Sequence, residues 1–167
     1  MKFAACTICL AFLTLPLFAG HPPESKSTPS FDMMKSLEGS WEGEGPEGKT
    51  VHITYKVVSA GSAVMETIDH LEMEAAMVTV YHLDKDKLMM THYCSAGNQP
   101  RMRLTKSTPT SLEFAMFDIS NLASKDDLYM RKVAITWTDK DHILEEWTAH
   151  AKGKDTPPHV FKLERKK

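Results

Sequence analysis

His159 opens the last stretch of alternating sequence in the chain, directly after Pro157-Pro158. It shares its phase with Phe161, Leu163 and Arg165, so its imidazole is expected on the inner side of a strand, near the mouth. There it suits a polar contact to a ligand, or stands as a histidine at the rim. A second concentration of functional groups runs Thr91-His92-Tyr93-Cys94-Ser95-Ala96-Gly97-Asn98-Gln99-Pro100-Arg101-Met102. His92 and Cys94 share one side of a strand, but at roughly 3.3 Å rise per residue they stand about 7 Å apart, too far for a cysteine–histidine nucleophile. Cys94 therefore reads as a small buried thiol. Asn98, Gln99 and Arg101 are placed to hydrogen-bond a ligand at an open end.

Other polar groups yield less. Histidines 70, 82 and 92 fall on successive expected strands, yet no short ligand motif such as His-x-x-x-His accompanies them, and no metal is assigned. Glu145 and Glu146 are adjacent, so their side chains point to opposite faces and do not form a glycosidase pair by themselves, with Glu146 toward water. Glu66, between Val64 and Ile68, is expected as an inward carboxylate with an ion-pair partner. No catalytic residue emerges, and binding is favoured over an enzymatic role.

These side chains are held by a regular series of short strands. In Gly39-Ser40-Trp41-Glu42-Gly43-Glu44-Gly45, Trp41, Gly43 and Gly45 alternate with Glu42 and Glu44, the mark of a half-buried strand with its indole inward. Before it, Ser30 serves as a helix N-cap, with Phe31, Met34 and Leu37 on one face and Gly39 as the stop. Strands are expected at 50–59, 63–70, 77–83, 88–94, 101–106, 111–118, 129–138, 142–150 and 159–165. Turn sequences separate most of them, among them Gly45-Pro46-Glu47-Gly48, Asp84-Lys85-Asp86-Lys87 and Asp139-Lys140-Asp141. A longer polar connection covers 119–127.

This pattern specifies an all-β, up-and-down antiparallel barrel of about ten strands, with a short N-terminal helix closing one end. Closure must pair the last strand with the first. That places Arg165 over Trp41 and carries His159 to the opposite, open end near Gly43 and Gly45, where missing side chains leave room. Tyr55, Tyr81, Met90, Phe114, Trp137 and Phe161 are then expected to line the interior. Methionines at 65, 77, 89, 90, 102, 116 and 130 supply core and a soft, adaptable lining.

The 167 residues suffice for one domain. Met1-Lys2 and the apolar run Phe3 to Phe18, ending in Ala19-Gly20, read as a signal peptide over 1–20 that leaves no membrane anchor. Residues 21–30 read as a disordered lead and 31–167 as the barrel, about 135 residues. Removing the leader takes Cys6 and Cys9 with it, so Cys94 has no partner for an internal disulfide. A formal charge of −2 with interspersed signs shows no basic face for nucleic acid.

Gly39-x-Trp41 after a short helix, with Arg165 on the last strand, resembles the lipocalin and calycin signature, with Gly39, Trp41 and Arg165 as its structural residues. Over most of the mature chain the likeness is to secreted bacterial lipocalin-like domains of unknown function. It is carried by Ser59-Ala60-Gly61-Ser62-Ala63-Val64-Met65-Glu66-Thr67, 88–103, Asn121-Leu122-Ala123-Ser124 and Glu146-Trp147-Thr148. The resemblance implies a secreted or periplasmic barrel taking a small apolar or amphipathic ligand at its open end. The opening 39–45 also resembles nitrobindin-type haem-binding barrels. That likeness implies His159 as the proximal iron ligand, provided the pocket excludes water and a second group holds the ring. The third reading is a structural envelope domain with a filled core and no ligand.

Overall fold

A computed structural model describes residues 26–45, 48–70 and 76–167. The expected signal peptide, the first half of the lead, and Pro46-Glu47 of the first turn lie outside the described residues. Helix α1 spans Pro29–Lys35. Strands follow as β1 (Gly39–Glu44), β2 (Thr50–Val58), β3 (Ala63–His70), β4 (Met77–Asp84), β5 (Lys87–Tyr93), β6 (Gln99–Thr108), β7 (Ser111–Ser120), β8 (Tyr129–Trp137), β9 (His142–Ala151), β10 (Lys154–Asp155) and β11 (His159–Arg165). Each pairs antiparallel with its neighbour in the chain, except that β9 pairs with β11 and the two-residue β10 only extends β9. β11 then pairs with β1, and a ten-strand ring closes. The fold is the expected all-β barrel.

Several boundaries differ from the sequence expectation for identifiable reasons. The helix is capped by Thr28, whose hydroxyl accepts from the Phe31 N–H at 3.2 Å, and not by Ser30. Pro29 explains the shift: it lacks an N–H and its fixed φ suits the first helical position. β6 and β7 are each longer than expected, and two register shifts, at Arg101/Met102 and Leu104/Lys106, mark bulges that bend this wall of the barrel.

The closed end is built where α1 meets β1 and β11. Phe31, Met34, Leu37 and Trp41 are fully buried. The turn that follows the helix, 36–38, carries backbone carbonyls that need donors at this closed end. Here the Trp41 indole N–H donates to Leu37 O at 2.9 Å. The Arg165 guanidinium donates to Glu38 O at 2.7 Å and to Ser36 O at 2.8 Å. That guanidinium lies 4.3 Å from the Trp41 ring centroid, as the Trp41↔Arg165 register requires. Gly39, at φ +132°, has the backbone conformation glycine tolerates. A Cβ there would sit 3.2 Å from the guanidinium.

The expectation that Gly43 and Gly45 open space for a ligand is corrected. A Cβ on Gly43 would fall 1.8 Å from the Lys162 carbonyl oxygen, and one on Gly45 would meet the Phe161 ring at 3.1 Å. Both glycines admit the approach of β11.

Two substitutions test this closure by urea unfolding. Arg165→Ala is expected to lose about 2–4 kcal/mol, from two charge-assisted hydrogen bonds and the stacking on Trp41. Gly43→Ala is expected to lose more, because its obstacle is backbone and relief requires separating β1 from β11.

Candidate functional site

The inner wall of the barrel carries a buried polar constellation drawn from five strands. On β3, Glu66 sits in the inward phase between Val64 and Ile68; on β9, Glu145 sits between Ile143 and Trp147 in the same way. Both glutamates are fully buried. The Tyr55 hydroxyl, from β2, lies between them, within hydrogen-bond reach of Glu66 Oε1 at 3.3 Å and of Glu145 Oε1. Tyr81, on β4, donates to Glu66 Oε2 at 2.9 Å, and the Trp147 indole donates to Glu145 Oε2 at 3.2 Å. Two carboxyls are thus linked across the lumen through one phenol.

Beside them lies His92 of β5, only 1% exposed, its ring 4.7 Å from that of Trp147. Its Nδ1 is 2.9 Å from the Thr79 hydroxyl on the neighbouring strand. With Nδ1 engaged by Thr79, Nε2 is the remaining ring nitrogen, and it too is buried. Nε2 has no hydrogen-bond partner among the described residues. A buried polar atom without a partner is uncommon and costs about 1–3 kcal/mol.

Burial governs the charges. Desolvation pushes both Glu66 and Glu145 up to about 7, only partly opposed by the hydrogen bonds from Tyr81 and Trp147. It pushes His92 down to about 4, so the imidazole is neutral at physiological pH. Tyr81 is raised well above its ordinary value by burial and by Glu66 beside it. No Lys or Arg is buried among the described residues. The expected ion pair for Glu66 is therefore corrected: its partners are phenols.

The sequence-derived candidates distribute unevenly around this centre. Tyr55, Tyr81, Met90, Phe114 and Phe161 are buried on the inner wall, with Tyr81 and Phe114 edge to face at 5.7 Å. Trp137 packs at the closed end, where it shares a surface recess with Met33 and Ser36 of the helix region. Asn98 is buried, donating to Leu128 O at 2.8 Å, with no partner for its Oδ1 among the described residues. Gln99 is taken up by Gly97 O and the Ser120 hydroxyl. Arg101 lies on the outer face, because Pro100 and Met102 occupy the inward positions; it pairs with Asp118 and covers Phe117. Likewise His82 alternates outward while His92 points inward, so those two do not share an ion. No cluster suited to a metal ion occurs among the described residues.

His159 pairs with Trp147 in the ladder and so has the inward phase, but it is exposed, beside Glu44, Gly45 and Pro158. Among the described residues no side-chain hydrogen bond orients its ring, whereas a proximal haem ligand needs a dry pocket and such a partner. The residues around His159 do not fit haem ligation.

Glu145, Thr79 and the inward role of His92 were not singled out from sequence as site residues. The available signal was a glutamate in the apolar phase of a strand, at Ile143-Glu145-Trp147 as at Val64-Glu66-Ile68.

Stability should fall as pH rises through neutrality. The unfolded chain releases its glutamate protons near 4.5, the folded protein near 7, so between these values the folded state binds more protons and loses stability with rising pH. His92 opposes this between about 4 and 6.5, where the unfolded chain is the more protonated. The net loss therefore concentrates near pH 7. Urea unfolding at pH 5.5 and 8 should show a drop on the order of 2–3 kcal/mol. The E66Q/E145Q double variant should remove that drop and exceed the wild-type stability at pH 8. Compared with known proteins, the chain matched no protein-family model, and a search of curated proteins likewise returned no match.

Proposed function

We propose that this chain is a secreted or periplasmic lipocalin-like barrel that binds a small amphipathic molecule in its interior. The observation that carries the reading is the polar constellation inside an apolar wall. Burying two carboxyls and an imidazole without charge partners opposes folding, and an interior selected for packing alone is filled more favourably by apolar side chains. A ligand that meets these groups gives them a role. Tyr55, Tyr81, Phe114 and Phe161 offer the apolar body of such a molecule aromatic surface, and Met90 an adaptable one. The end opposite Trp41 is the route of entry, since α1 and Arg165 cover the other. Export rests on the apolar leader at 3–18.

Native mass spectrometry of the mature chain should show a stoichiometric small-molecule adduct that organic extraction removes. His92→Leu should weaken rebinding of the extract by about tenfold, the loss of one hydrogen bond to the ligand, without lowering stability comparably. Recovery of the chain free of any adduct, with no uptake of amphiphiles, would favour the filled structural domain instead.

Added haemin provides the contrast. Its absorption spectrum should be the same for wild type and His159→Ala. A Soret band lost in the variant would restore the haem reading.

A further inference from the structure

The interior groups left open to a ligand can all act as hydrogen-bond acceptors, the glutamates in their ionised form. Each carboxyl has a donor within reach of both oxygens, Tyr81 and Tyr55 at Glu66, Trp147 and Tyr55 at Glu145, and a carboxylate oxygen has two lone pairs, so acceptor capacity remains on both. The donors that reach them are fixed in the wall: the two phenols and the Trp147 indole. The contact between Thr79 and His92 is compatible with either imidazole tautomer. With the proton on Nδ1, donated to the Thr79 hydroxyl, the buried Nε2 is a bare acceptor.

Two carboxyls and an imidazole acceptor, with no buried cation beside them among the described residues, are complementary to a group that brings both positive charge and several N–H donors. An ammonium has both, and its three hydrogens match three acceptors. An anionic head group, by contrast, would meet two carboxyls with no counter-charge.

We propose that the ligand is a small amphipathic amine, bound as its ammonium ion against Glu66 and Glu145 beside the Tyr55 hydroxyl that links them, with one N–H to His92 Nε2. This rests on the reading of the barrel as a ligand-binding protein and adds the chemical class of the ligand.

The test compares probes that share a tail and differ in head group: octylamine against 1-octanol and octanoate, and phenethylamine against phenethyl alcohol. They are titrated into the mature, delipidated protein by isothermal calorimetry. The wild type should bind each amine at least tenfold more tightly than its alcohol, with octanoate weakest. E145Q should reduce that preference, and E66Q/E145Q should abolish it. Far-UV circular dichroism establishes that each variant is folded, and E145Q alone decides the matter should the double variant fail. Equal or tighter binding of the alcohols or of octanoate would overturn the amine assignment and leave the ligand-binding reading standing. A preference for amines that survives E145Q with the protein folded would also overturn it. No binding of any probe, in a chain that also carries no extractable adduct, would overturn both.

Discussion

The contact between the first and last strands is the constraint on which the molecule depends. Without the β1–β11 ladder the ten strands form an open sheet with two exposed edges and an interior face bared to solvent. The ladder holds because Gly43 lets β11 come within a distance that any Cβ would forbid. Arg165 turns the same ladder into a clamp. It lies on Trp41 and supplies donors to the carbonyls where α1 ends, so barrel closure and helix docking are one event. An apolar plug at that end leaves the rest of the interior free to carry polar groups.

What those groups do is set by their isolation from charge. A carboxylate on the surface is solvated and commonplace; two carboxyls sharing a phenol in a dry interior are an energetic liability. Their wall partners are all neutral donors, which stabilise the anions by hydrogen bonding but do not neutralise them. The barrel thus holds two buried carboxyls with no buried cation beside them among the described residues, next to a His92 nitrogen that has no hydrogen-bond partner there. On the proposed reading, such an arrangement ties stability and ligand affinity to the same side chains. The residues that weaken the empty fold are then those with most to gain from an occupant.

The strand pattern was legible in the sequence because each strand buries one face and alternation reports that directly. The closure, the Trp41–Arg165 contact and the inward phase of Glu66 could all be read in this way. Trp137 shows the limit. Its phase is correct, but its height along the barrel is set by the tilt and stagger of the strands, which place it beside the helix. Arg101 was drawn toward a ligand by its polar neighbours in the loop, yet the strand begins earlier, at Gln99, and alternation turns it out. His159 has the inward phase and still stands exposed, because it lies at the rim where no further wall covers it.

The sequence by itself determined the barrel, its order of strands, its closed end and the residues that seal it, since these follow from local periodicity and from the need to remove edges. Only the tertiary structure decided where the chemistry lies. Tyr55 and Glu145 are separated by 90 positions, and they meet only because the sheet closes and brings β2 and β9 across one lumen. No spacing rule along the chain encodes a contact across a barrel, whereas burial of both carboxyls in one interior makes that contact the centre of the molecule.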